Sequence, residues 1–222
     1  MGKIKLVATD FDNTLVHYRG AGVKSSWRMI SNALGTTDKD VLLYDAYHRG
    51  EIGYVEWCDA NLKNFVDAGL TEQSMNQIFE ADMELMPGTR RLYESLEAQG
   101  IKVAIISGGL RNCYRIFSSK FGIEPYMASF ANEFFFDGSG RLESGKFVKL
   151  DYEGKTEVLK GVCNKLGISL GECAFVGDEV NDLHILGSVG LPVAINTQNQ
   201  QVISAAQVHI KDMDISTVLE YL

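Results

Sequence analysis

An apolar run that stops at two aspartates governs this chain: Lys5-Leu6-Val7-Ala8-Thr9-Asp10-Phe11-Asp12-Asn13-Thr14-Leu15. A short run of β-compatible apolar residues reads as a buried strand, and open α/β sheets place their sites in the crevice beyond the carboxyl ends of such strands. On an extended chain residues i and i+2 project to the same side, so Asp10 and Asp12 are brought together. Two carboxylates that close repel unless a cation lies between them or one keeps its proton, and either outcome suits catalysis. The alternative is a solvated Asp-x-Asp turn, and residues further along the chain decide between them.

At 222 residues the chain suits a single domain, or a core with a modest insertion, and can bury a substantial core. Its 45% apolar share contains no run of the eighteen or so apolar residues that a membrane helix needs. A net charge of −8 and the lack of a Lys/Arg stripe argue against a nucleic-acid partner. Met1-Gly2-Lys3-Ile4-Lys5-Leu6 enters the first strand without an apolar signal region, and the expectation is a cytoplasmic protein, monomer or homodimer. Cys58, Cys113, Cys163 and Cys173 lack the spacing of metal ligands and read as reduced, partly buried small hydrophobes.

After Leu15 the chain turns glycine-rich and basic, then shows helical spacing through Trp27, Ile30 and Leu34, from Asp38 to His48, Tyr54 to Ala68 and Thr71 to Met83. No strand is expected between Leu15 and Met86. Four consecutive helices fit βαβ alternation poorly, so residues 17–84 are expected to form a small helical cap, with 1–16 and 85–222 as the core. From Pro87-Gly88 onward strand and helix alternate, with a hairpin turn at Asp137-Gly138-Ser139-Gly140, a helix over Val180 to Leu186 and a closing helix over Ile215 to Leu222. The expected fold class is α/β, a Rossmann-like, doubly wound, mainly parallel sheet with a helical cap inserted after the first strand.

Four stations fall at the ends of expected core elements. Asp10/Asp12 is the first. Ser107-Gly108-Gly109 follows a strand, and its glycines let backbone N–H groups approach an anion. Lys155 offers a mobile positive charge. Asp178 and Asp182, four apart at a helix start, are hard oxygen ligands suited to Mg²⁺. If Asp10, Asp12, Asp178 and a phosphate dianion converge, the charge is about −5 against one lysine, untenable without a divalent cation or a proton on Asp12.

Taken together these residues resemble the haloacid dehalogenase superfamily, in its phosphoserine phosphatase-like branch. Asp10-Phe11-Asp12-Asn13-Thr14 is similar to its first motif, Ser107-Gly108-Gly109 to its second, Lys155 to its third, and Gly177-Asp178 through Asn181-Asp182 to its fourth. The resemblance implies a Mg²⁺-dependent phosphatase acting on a small phosphorylated metabolite. Asp10 would be the nucleophile that forms an aspartyl-phosphate, and Asp12 the acid and base. Asp10, the Asp12 carbonyl and Asp178 would hold the metal. Ser107, Gly108, Lys155, Asn13 and Asn181 would bind the phosphoryl group, and Asp182 would orient Lys155 or a metal-bound water. A phosphomutase or phosphotransferase would use the same nucleophile, and a phosphate-binding regulatory protein without turnover is a further alternative.

The resemblance weakens at the substrate. Phosphoserine phosphatases carry a Glu after the first motif and an Arg in the cap. Here no acid lies between Asp12 and Asp38, and Trp57 to Phe65 holds no Arg. The loop offers His17, Arg19, Lys24 and Arg28 instead, which points to a substrate other than phosphoserine with a second anionic group, and His17 and Arg19 are the candidate specificity residues.

Overall fold

In the computed structural model residues 3–20, 22–149 and 153–222 are described, so the reading of Met1-Gly2 lies outside them. The central strand β1 (Leu6–Thr9) has all its residues buried, because β4 (Lys102–Leu110) flanks it on one side and β7 (Cys173–Gly177) on the other. A strand covered on both faces is apolar throughout rather than alternating, which is the run seen in the sequence. Beyond β4 lie β5 (Met127–Phe136) and β6 (Leu142–Phe147), and beyond β7 lie β8 (Leu191–Ile195) and β9 (Val208–Ile210). The sheet order is β6-β5-β4-β1-β7-β8-β9, parallel except for the β5–β6 hairpin.

Helices cover both faces. Leu6, Ala8, Ala104 and Ile106 pack with Leu159 and Val162 of α7 (Glu153–Leu166) and with α8 (Leu183–Leu186) and α9 (Gln200–Ala205). The alternate residues Val7, Val103 and Ile105 face α5 (Thr89–Ala98) and α6 (Arg111–Phe121) through Leu92, Leu96 and Phe117. Thr9 pairs with Ile105 and with Val176, and the residues just past that level, Asp10, Ser107 within β4 and Asp178, carry the site.

Between β1 and α5 the chain makes a long excursion through α1 (Ser26–Ala33), α2 (Thr37–His48), α3 (Tyr54–Asp67) and α4 (Glu72–Asp82), close to the helices expected from the spacing. The expectation of no strand in this region is corrected. Val16–Tyr18 (β2) and Met83–Leu85 (β3) form an antiparallel pair at the two ends of the excursion. Three residues each are too few for a periodicity signal, and Met83 directly follows a helix. The tract from Val180 is likewise not one helix but a 3₁₀ turn, Val180–Asp182, leading into α8, and the closing helix Ile215–Tyr221 is 3₁₀. All four cysteines are buried free thiols, with Cys163 and Cys173 Sγ 3.3 Å apart. Among the described residues no helix is long and apolar enough to cross a membrane.

Candidate active site

The carboxyl-end side of β1, β4 and β7 brings residues more than a hundred positions apart into contact. Lys155, in the first turn of α7, is fully buried, and its Nζ donates to Asp10 Oδ2 at 2.8 Å and to Asp182 Oδ1 at 2.6 Å. Burial alone would favour a neutral amine, but the two carboxylates hold Lys155 charged, above its ordinary value. Asp10 also accepts from the Phe11 N–H at 2.6 Å.

Asp182 closes its own loop. Its Oδ2 accepts from the Asp178 and Glu179 N–H groups at 3.1 and 3.4 Å, so it is committed to shaping the turn and holding Lys155. Asp178 is gripped by Asn13 Nδ2 at 2.6 Å and Thr14 Oγ1 at 3.3 Å. Asn13 reaches it from the left-handed region, φ 58°, which asparagine tolerates, and Asn196 Nδ2 fixes its amide by donating to Asn13 Oδ1 at 2.6 Å. Carboxylate oxygens of Asp10, Asp178 and Asp182 lie within 4.8 Å of one another. Burial, then the neighbouring Asp10 and Asp182, pushes Asp178 well above the usual carboxylate range.

Asp12 is held separately. Tyr18 of β2 donates to its Oδ1 at 2.5 Å, and Ser26 donates to Oδ2 through both its N–H, 2.9 Å, and its hydroxyl, 2.8 Å. Ser26 opens α1, so the carboxylate sits at a helix N-terminus, where negative charge is favoured. Burial raises Asp12 to about 6 against the pull of these donors. Gly109 leaves room for it, since a Cβ there would come within 2.8 Å of Asp12 Oδ2. Ser107 is buried beside it, its Oγ accepting from the Gly109 N–H at 3.0 Å.

A cavity of about 310 Å³ opens over these groups, lined on this side by Asp10, Asp12, Ser107, Gly108, Asp178 and Asn181. Among the described residues the buried Asn181 Oδ1 has no hydrogen-bond partner. The structure thus brings together Asp10, Asp12, Ser107, Gly108, Lys155, Asp178 and Asp182. It does not bring His17 or Arg19. Arg19 Nε donates to Glu84 Oε1 at 2.7 Å, His17 Nε2 lies 3.6 Å from Glu84 Oε2, and neither lines the cavity. The acid on the paired strand β3 meets both. Tyr18, Ser26, Thr14 and Asn196 were not legible from spacing, although Ser25-Ser26 ahead of a helical pattern is a helix-start signal.

The donor set fits a hard divalent cation. Clustered, buried carboxylate oxygens whose ionised forms repel, beside an unpartnered amide oxygen, are what Mg²⁺ coordination relieves.

Known proteins resemble this chain in sequence and in fold. The chain is 30% identical over 226 residues to a phosphoserine phosphatase of Polaromonas sp. strain JS666, spanning 99% of this chain and 90% of that one. It is 29% identical over 224 residues to the phosphoserine phosphatase of Albidiferax ferrireducens, with the same coverage, 99% and 90%. A phosphoserine phosphatase solved as a phospho-aspartyl intermediate analogue shares the fold, with a TM-score of 0.78 at 22% identity over 100% of both chains. A HAD-family hydrolase from Salmonella enterica serovar Typhi shares it at 0.81 and 19% identity, over 98% of this chain and 70% of that one. The family model for haloacid dehalogenase-like hydrolases matches residues 4–190, and the chain belongs to that family.

Proposed function

We propose that this hydrolase is a Mg²⁺-dependent phosphatase that cleaves a small-molecule phosphomonoester through an aspartyl-phosphate on Asp10. The observation that carries the reading is the buried Lys155 bound at once to Asp10 and Asp182, with Asp10, Ser107 and Gly108 lining one cavity. A lysine so placed neutralises part of the charge that a phosphate brings.

In the first step an Asp10 carboxylate oxygen attacks phosphorus, and the bond from phosphorus to the alcohol oxygen breaks. Its electron pair stays on the departing oxygen, which takes a proton from Asp12. The Asp12 carboxylate then takes a proton from water as the water oxygen attacks phosphorus, freeing inorganic phosphate and restoring Asp10. Held near neutrality by burial, Asp12 can both give and receive that proton. Ser107, the N–H groups at Phe11, Asn13 and Gly108, Asn181 and Lys155 hold the phosphoryl oxygens, and Asp182 keeps Lys155 aimed. Asp10, the Asp12 carbonyl and Asp178 would hold Mg²⁺, which when bound supplies charge neutralisation at the phosphoryl oxygens. In the same reading residues 17–84 act as a cap over a core of 1–16 and 85–222.

Phosphate release from a panel of phosphorylated metabolites, measured in Mg²⁺ and in EDTA with wild type and Asp10→Asn, tests this. Metal-dependent release absent from the variant is the expected result. A phosphorylated product without free phosphate would show transfer to an acceptor instead.

A further inference from the structure

Away from the phosphate seat the cavity continues under the helical excursion, and its wall there is built of rings. Trp27 from α1, Tyr44, Tyr47 and His48 from α2, and Tyr54 and Trp57 from α3 all line it. The rings form one connected patch. Trp27 and Trp57 have centroids 5.0 Å apart, Trp57 and Tyr47 6.1 Å with planes 28° apart, and Tyr47 and Tyr54 6.0 Å. His48 lies 5.3 Å from Tyr47 and 3.9 Å from Tyr44.

Rings that served only as a helical core would be sealed. Trp27 and Trp57 nearly are, at 4% and 8% exposure, but Tyr44 keeps 40% of its surface open and Tyr47 is only half-buried. Of the loop cations that an amino-acid phosphate would call on, Lys24 lines the cavity, and the other three are engaged. Arg28 Nε donates to Asp40 Oδ2 at 2.5 Å, and His17 and Arg19 lie against Glu84 outside the cavity. The volume of about 310 Å³ reaches the lower end of sites that enclose an organic ligand.

We propose that the alcohol half of the substrate carries a flat aromatic or heteroaromatic ring that stacks on this wall while the phosphate sits among Asp10, Ser107 and Gly108. The inference rests on the phosphatase reading and specifies its substrate class. Offset or edge-on ring pairs gain from dispersion and from their quadrupoles at centroid separations of about 4.5–7 Å, the range these rings already keep among themselves. A saturated group of equal size fills the same space without the second gain.

Matched pairs of phosphomonoesters test it: benzyl phosphate against cyclohexylmethyl phosphate, and adenosine 5′-monophosphate against ribose 5-phosphate. Each pair releases a primary alkoxide, so the chemistry at phosphorus is alike and the ring is the difference. Wild type is expected to show kcat/KM about tenfold higher for the flat member of each pair, with phosphoserine among the poor substrates. Tyr44→Leu and Tyr47→Leu are expected to bring the ratio toward one. A merely structural role for these tyrosines would lower both members alike and leave the ratio unchanged. A wild-type ratio of one or below, an unchanged ratio in both variants, or preferential turnover of phosphoserine overturns the inference and leaves the phosphatase reading standing. Metal-dependent release from no compound overturns the reading itself, and the inference with it.

Discussion

The cavity has two halves built on opposite terms. On the sheet side the ionisable groups Lys155, Asp178 and Asp12 are buried and each held by two partners: Lys155 by two carboxylates, Asp178 by Asn13 and Thr14, Asp12 by Tyr18 and Ser26. On the helical side the wall is aromatic and partly open, and it carries Lys24 and the ion pair of Arg28 with Asp40. Buried charges demand fixed partners, whereas ring faces accept a range of contacts. In the proposed function this difference becomes a division of labour, with most of the chemistry held at the sheet and the choice of substrate left to the helices.

The sharpest way to break this comparison is Asp10→Asn, expected to lower turnover by about 10⁴-fold or more because it removes a covalent nucleophile. Measured against it, any ring substitution that costs as much would show that the helical half shares the chemistry. Lys155→Met comes next. It leaves Asp10 and Asp182 buried without their cation, expected to cost about 3–5 kcal/mol of stability. Chemical denaturation with and without Mg²⁺ checks this, and the loss is expected to shrink with the metal present.

On the helical side Arg28→Met is expected to cost about 1–3 kcal/mol by stranding the buried Asp40 carboxylate. Here pH gives the sign. Burial holds Asp40 above its ordinary 3.8, with Arg28 pulling it back, so its contribution is complete below that value and lost as pH rises through the folded one. Without Arg28 the folded value climbs further, and the deficit is expected to be larger at pH 7 than at pH 4.5. A deficit equal at both would show that Arg28 acts by packing alone. The smallest effect is expected at the seam, where Ser26→Ala removes one of the donors on Asp12. It should lower kcat by about tenfold with little change in KM, and a loss confined to KM would place Ser26 in substrate binding instead.

Much of the sheet side was legible in the sequence because its residues announce themselves. A buried strand is an unbroken apolar run; Asp10 and Asp178 stand just beyond β1 and β7, Ser107 lies late in β4 and Lys155 opens α7, each a polar residue at the edge of an apolar stretch. What holds them was not legible. Asn196 fixes Asn13 from 183 residues away, and nothing local marks that pairing. The partner of His17 and Arg19 was hidden for a related reason, since Glu84 meets them only once β2 and β3 pair. The ring wall stayed hidden because aromatic residues at helical spacing look the same whether they seal a core or line a cavity.

The short β2–β3 ribbon has a mechanical consequence. It is where the chain departs for the helices and where it comes back, while further along the excursion Glu72 N–H donates to the Gly140 carbonyl and Leu70 carbonyl accepts from Leu142 N–H, holding it to the β5–β6 hairpin as well. Tyr18 lies in the ribbon and Ser26 just past it, and both grip Asp12. A displacement of this segment against β1 would therefore act directly on the hold that Tyr18 and Ser26 keep on Asp12.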